Sequence, residues 1–444
     1  MARPRTRIPL NVFLNGRMVG RLRRQASGAI DFQYDENWLA WEQAFPVSLS
    51  LPLREDRFIG DPVIAVFDNL LPDNDQIRRR LAERVRAGGY DAYSLLAAVG
   101  RDCVGALQFL PDGADPGAAG GIEGRPLEDN EIAGILGDLK RTPLGVDESG
   151  EFRISLAGAQ EKTALLYWQD QWQVPHGSTA TTHILKPEIG RLPNGIDLSQ
   201  SIENEHLCMR LTASFGLPTA RTEIREFAGR RALVVERFDR LHARDGRLLR
   251  LPQEDCCQAL SVPPPRKYEP DGGPGMRQIL DLLKASDEPE ADQTLFLKAQ
   301  IVFWLLGATD GHAKNFSVAL LPGGRFRLAP LYDVMSAQPN VDAGEIRHNA
   351  MKLAMAVGDS RHYTIDSIMP RHFLQTAARA GVPASLVQGI LDEIENDTDR
   401  AIDAAADGLS PGFPERIVSS VIEGVRRRVR LFAHAPTMAG SGDD

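Results

Sequence analysis

The chain has little cysteine, no long apolar run and no excess of positive charge, and each shortage removes a class of function. Its four cysteines, Cys103, Cys208, Cys256 and Cys257, form neither a C-x-x-C framework nor a zinc ribbon, so they read as reduced thiols of a cytoplasmic protein. The longest apolar run, residues 301–306, is too short to cross a bilayer, and no membrane partner is expected. Arg3, Arg5 and Arg7 open the chain, but Asn11, Asn15, Gly16 and Arg17 interrupt the apolar residues behind them, which excludes a signal-peptide core. A net charge of -9 leaves no chain-wide cationic field. Contact with nucleic acid is therefore expected to be shared with a partner, or confined to local residues such as Arg21, Arg23 and Arg24, or Arg78, Arg79 and Arg80. The H-E-x-x-H pair of zinc hydrolases and the G-x-S-x-G elbow of serine hydrolases are both missing.

What is present is ordinary for a globular protein: 444 residues, 43% hydrophobic and 25% charged, enough for two or three domains. Short apolar segments between residues 10 and 34 alternate with turn signals at Asn15-Gly16 and Ser27-Gly28, which predicts a small antiparallel sheet. A helix over 61–71 follows, and Pro72-Asp73-Asn74-Asp75 stops it and caps a second over 76–86. Residues 111–121 have the glycine and proline content of a linker. Beyond it, β-rich segments at 164–168, 172–174, 182–186, 222–227 and 231–237 are interrupted by one helix at 202–215, the element mix of a nucleotide-binding small lobe. After residue 251 the pattern is mainly helical. Residues 295–306 are apolar on nearly every side and predict a buried helix, whereas 263–265 and 271–275 read as loop. The expected organisation is an N-terminal module over 1–111, a linker over 112–126, a small lobe over 127–250, a helical lobe over 251–437 and a frayed tail over 438–444.

The densest chemistry lies in Thr309-Asp310-Gly311-His312-Ala313-Lys314-Asn315, followed by Leu331-Tyr332-Asp333. Kinase catalytic loops carry an Asp that takes the acceptor hydroxyl's proton, then an Asn and a further Asp that hold Mg²⁺. Asp310, Asn315 and Asp333 repeat that order. Singly, each Asp is as compatible with a helix cap or a turn; jointly they read as a base and two oxygen donors for a hard cation. His312 is expected to hold the loop's backbone in shape rather than to react.

Phosphoryl transfer also needs a cation on the nucleotide phosphates and a backbone-rich loop over them. Lys186 ends the β-branched segment 182–186 and supplies the cation, with Glu205 or Glu203 as its carboxylate partner. The small residues of Ser155-Leu-Ala157-Gly158-Ala159-Gln160-Glu161-Lys162 let backbone N–H groups approach phosphate, although the stretch is neither G-x-G-x-x-G nor a Walker A motif and equally suits a tight hairpin turn. Residues 234–238, with Glu236 and Phe238, would offer backbone groups and a ring to adenine, or else form a plain edge strand.

These segments together resemble the HipA toxin kinases: Ser155-Leu-Ala-Gly-Ala-Gln-Glu-Lys-Thr-Ala-Leu165, Thr182-His-Ile-Leu-Lys186, Val235-Glu-Arg-Phe-Asp239, Leu251-Pro-Gln-Glu-Asp255 and the loop from Gly307 to Phe316. Phe67-Asp-Asn-Leu-Leu-Pro-Asp73 and Val99-Gly-Arg-Asp-Cys-Val-Gly-Ala106 extend the resemblance through the first module. It implies an α+β, two-lobed protein-kinase or lipid-kinase-like fold, with a β-rich N-terminal module and a helical C-terminal lobe. The implied activity is ATP- and Mg²⁺-dependent phosphorylation of protein serine or threonine, with glutamyl-tRNA synthetase as acceptor, arresting translation and growth. The resemblance further implies a HipB-like antitoxin partner, operator DNA bound through that complex, and inactivating autophosphorylation at Ser155. By the same matching Asp310 is catalytic, Asn315 and Asp333 hold the metal, and Lys186 serves the nucleotide; Ala157 to Lys162, Glu236, Phe238 and His312 are the further nucleotide candidates.

Overall fold

The structure, a computed structural model, describes residues 9–146 and 154–434. The expectations for Arg3, Arg5 and Arg7 and for the tail 438–444 lie outside the described residues. The chain divides into two compact units that interleave in sequence: Met1–Ile189 with Ala220–Lys267 and Phe316–Pro330, and Gly190–Thr219 with Tyr268–Asn315 and Leu331–Asp444.

The first unit holds two large antiparallel sheets. One has five strands in the order Phe58–Ile59, Ile30–Tyr34, Arg17–Arg24, Leu10–Leu14, Leu107–Pro111. Asn15 and Gly16, at φ 45° and 79°, close its first hairpin in the left-handed conformation that Asn-Gly turns favour. Val12, Leu22, Phe32, Phe67 and Phe109 form its core, with Phe67 edge-on to Phe109 at 5.4 Å. The first expected helix is Asp61–Asp68, three residues shorter than 61–71 predicts. The second is Asp75–Arg84, capped by Asn74, whose side chain accepts from the amides of Gln76 and Ile77.

The other sheet has six strands in the order Thr222–Phe227, Arg230–Glu236, His183–Lys186, Thr163–Trp168, Gln171–Pro175, Gly124–Pro126. Its last strand comes from the end of the glycine-rich stretch, whose backbone pairs with Gln171–Pro175. A third sheet of Gln253–Asp255, Ser317–Leu321 and Arg325–Leu328 and a two-stranded one of Arg240–His242 and Leu248–Arg250 lie in the same unit, so the chain beyond 251 carries more strand than its composition suggests. Pro264–Arg266, expected as loop, is a 3₁₀ turn, because proline's fixed φ suits a first helical turn.

The second unit is built mainly of helices around Pro289–Leu306, which is buried continuously from Phe296 to Leu306. Trp304 anchors it by donating to the Ile365 carbonyl at 3.1 Å and stacking on Phe432. Gly307, at φ 68°, terminates the helix in the left-handed conformation, and Met351 and Arg428 pack where a side chain would stand. Among the described residues no helix is long and apolar enough to cross a membrane.

Candidate active site

The catalytic-loop residues of the second unit come together directly after the buried helix. The His312 amide donates to the Asp310 carbonyl at 2.8 Å, and the Asn315 amide to the His312 carbonyl at 2.9 Å. Asn315 Nδ2 donates to the same Asp310 carbonyl at 2.6 Å, which closes the loop and leaves the amide oxygen as the group that can meet a metal. Gly311 has no room for a side chain, since a Cβ there would lie 2.6 Å from the Phe303 ring. His312 is buried with its ring edge-on to Tyr268 at 4.8 Å, while the Asp310 side chain is 58% exposed, as an acceptor base requires.

Asp333 is tied to this loop by its neighbours. The Tyr332 hydroxyl donates to the Lys314 carbonyl at 3.0 Å, and the Leu331 amide donates to the Pro218 carbonyl at 2.8 Å. Three residues later Ser336 Oγ donates to the Leu306 carbonyl, and the Ala337 amide to the Gly307 carbonyl. Asp333 itself sits at φ 62°, a conformation costly for a residue with a Cβ and concentrated at functional sites. Among the described residues no cluster of three or more His, Cys, Asp or Glu could hold a metal ion. An Asp and an Asn carbonyl are a hard-oxygen pair, which suits Mg²⁺ completed by phosphate and water oxygens rather than by an all-protein cage.

In the first unit the residues expected to meet phosphate also gather. Gly158 lies at φ 106°, and a Cβ there would stand 2.5 Å from Lys162 Nζ, which instead donates to the Ala157 carbonyl at 2.9 Å. Ala159 at the loop's tip is exposed. Gln160 Nε2 reaches the Pro187 carbonyl at 3.0 Å, joining the loop to the residue after the buried Lys186. The Glu161 carboxylate pairs with Arg80 at 2.6 Å. Ser155 is fully buried, with its hydroxyl donating to the Leu70 carbonyl at 2.7 Å, and the Asp73 amide donates to the Gly158 carbonyl at 3.0 Å.

Arg230–Glu236 is an interior strand of its sheet, not an edge. The amides of Glu236 and Arg237 already donate to the carbonyls of Arg221 and Thr182, so neither serves adenine, and Phe238 stands half-buried just beyond. Of the local basic residues, Arg24 pairs with Asp91, Arg78 is buried against Asp68, and Arg80 holds Glu161. All three are ion-paired within the fold, and Arg78 is too buried to reach nucleic acid. On helix Ser201–Ser214 both Glu203 and Glu205 are buried.

Sequence reasoning missed Tyr268, whose hydroxyl donates to Asp310 Oδ1 from between the two stretches read as loop. It also missed Asn204, which lies between the two candidate glutamates and brackets Ser336, accepting from its amide at 2.9 Å and donating to its carbonyl at 2.8 Å. No local pattern marks either contact.

The sequence profile of the HipA-like C-terminal domain matches residues 154–402, and that of the HipA N-terminal domain matches residues 10–110. A Sinorhizobium fredii protein named "Putative kinase Y4mE" is 37% identical over 397 residues, covering 88% of this chain and 90% of that one. The "Serine/threonine-protein kinase toxin HipA" of Shewanella oneidensis is 28% identical over 408 residues, covering 89% and 88%. A solved complex of Shewanella oneidensis HipA, HipB and operator DNA contains a chain of the same fold, with a TM-score of 0.79, 26% identity, and coverage of 96% of this chain and 98% of that one.

Proposed function

The chain belongs to the HipA family of serine/threonine kinases, and from that premise we propose that it is a toxin kinase that moves the γ-phosphate of ATP to a protein hydroxyl, with Mg²⁺ as its metal. The observation that carries the reading is the closed loop in which Asn315 holds the Asp310 carbonyl and leaves the Asp310 carboxylate exposed.

Asp310 takes the proton of the acceptor hydroxyl as that oxygen bonds to the γ-phosphorus and the bond to the β–γ bridging oxygen breaks, releasing ADP. Bound Mg²⁺ supplies charge neutralisation on the phosphate oxygens. Asn315 and Asp333 would hold it, Lys186 would add positive charge on the nucleotide phosphates, and the 155–162 loop would contribute backbone amides. Glu161 acts by anchoring that loop to Arg80, since a carboxylate against phosphate would repel.

The acceptor we assign, on the family resemblance alone, is glutamyl-tRNA synthetase; the partner we assign is a HipB-like antitoxin that carries the complex to operator DNA, which the Shewanella oneidensis complex supports. Autophosphorylation at Ser155 would switch the kinase off. A phosphorylated Oγ has no hydrogen to give the Leu70 carbonyl, and a dianion does not fit a fully buried site, so the loop must leave its place.

Radiolabelled ATP, incubated with the protein and glutamyl-tRNA synthetase, tests the activity. Label should pass to the synthetase, and Asp310→Asn should reduce transfer by about 10² to 10⁴-fold while leaving the fold intact. Equal transfer by the variant overturns the role of Asp310. Absence of any protein labelling by the wild type overturns the kinase reading.

A further inference from the structure

Asp102 belongs to the part of the chain that matches the N-terminal domain profile, yet its contacts go to the part that matches the C-terminal one. Its side chain is fully buried. Oδ1 accepts from Arg240 Nη2 at 2.8 Å and Arg250 Nε at 2.9 Å. Oδ2 accepts from the Thr181 amide at 3.1 Å, from Thr181 Oγ1 at 2.7 Å and from Arg237 Nη1 at 3.5 Å. Its carbonyl accepts from the Ser155 amide at 2.8 Å.

All of these partners but Arg250 stand beside a segment that the sequence assigns to ATP. Ser155 opens the phosphate loop. Thr181 stands next to the strand that ends in Lys186. Arg237 and Arg240 flank Phe238, and Arg237 is gripped from its other side by Asp239, which also accepts from the Gly105 amide at 2.7 Å. Three guanidinium groups converge on two carboxylates with almost no access to water. Burial alone pushes the Asp102 carboxyl up, but Arg240, Arg250 and Arg237 overcome it and hold it well below the usual range. A charge cluster of this kind stabilises less than an apolar core would, so its geometry is the better reason for its presence.

We propose that Asp102 is a positioning residue for nucleotide binding, through which the N-terminal domain holds the phosphate loop, the lysine strand and the segment around Phe238 in mutual register. The inference rests on the kinase reading of those three segments. It predicts that the N-terminal domain is part of the ATP site's rigid frame.

The test measures ATP–Mg²⁺ affinity of the full chain by titration, alongside thermal unfolding without nucleotide, for Asp102→Asn, Thr181→Val and Leu22→Ala. Asp102→Asn keeps the shape but removes the charge; Thr181→Val keeps the volume but removes one donor to Asp102 and is the variant to rely on if the first does not fold. Leu22→Ala destabilises the core of the first sheet, makes none of these contacts, and serves as the control for stability alone. Both cluster variants should weaken ATP binding by about tenfold or more at a temperature where they remain folded, as misplacement of supporting groups does. The Leu22→Ala protein, with its Tm lowered, should bind ATP as the wild type does. Wild-type affinity in the folded cluster variants, or equal weakening in Leu22→Ala, overturns the inference. Failure of the wild type itself to bind ATP overturns instead the kinase reading beneath it.

Discussion

The hydroxyl of Tyr268 donates a hydrogen bond to Oδ1 of Asp310, and the Tyr268 ring meets His312 edge-on at 4.8 Å. A half-exposed carboxylate is thereby bonded at one oxygen by a residue from outside its own loop. Tyr268→Phe removes the hydroxyl but keeps the ring contact. It should lower kcat by about tenfold and leave KM for ATP unchanged, because orientation of the base is lost but not nucleotide binding. Steady-state kinetics at varied ATP separate the two, and an unchanged kcat would remove Tyr268 from the site.

Asp333 sits at φ 62°, where asparagine is tolerated far better than most residues. Asp333→Asn should keep the backbone and remove the charge, raising the Mg²⁺ concentration needed for half-maximal transfer. Asp333→Ala should do the same and also lower the Tm. Asn315→Ala should raise the metal requirement and loosen the loop, since it deletes the bond to the Asp310 carbonyl. A Mg²⁺ titration identical to wild type in all three would count against the metal assignment.

Asn204 satisfies both backbone groups of Ser336, the residue that also caps the Leu306 carbonyl. Asn204→Ala leaves a buried amide and a buried carbonyl without that partner and should cost about 2–6 kcal/mol of stability, from about 1–3 kcal/mol for each buried group left unsatisfied. Asn204→Asp restores the acceptor but not the donor, and should recover part of the loss. Chemical denaturation measures both, and equal stability of Asn204→Ala and wild type contradicts the bracket.

Glu254 gives the fold a pH dependence unrelated to catalysis. Burial pushes its carboxyl up to about 8 from an ordinary 4.5, against the bond it accepts from the Leu49 amide at 2.7 Å. The folded chain therefore holds this proton more tightly than the unfolded chain does. Its contribution is full below pH 4.5 and declines as pH rises toward about 8, after which it is constant. Glu254→Gln is neutral at every pH and should flatten the decline. Tm values across that window decide it; an equally steep fall in the variant would assign the effect elsewhere.

The sequence by itself determined whatever depends on neighbours along the chain. The Asn15-Gly16 hairpin, the Asn74 cap and the continuous burial of Phe296 to Leu306 follow from turn chemistry, capping and unbroken hydrophobicity, and all three are legible without coordinates. So is the grouping of Asp310, His312 and Asn315, because a short loop keeps them close whatever surrounds it. The family was legible too, through motifs spread over most of the chain. Only the tertiary structure decided that Tyr268 reaches Asp310, that Asn204 brackets Ser336, that Arg78 is buried rather than offered to DNA, and that Asp102 gathers three arginines. Such contacts join side chains far apart in sequence, and an isolated Tyr, Asn, Arg or Asp carries the same local signal wherever it ends. Packing places the partner, and the low dielectric of the interior then makes that placement costly to break.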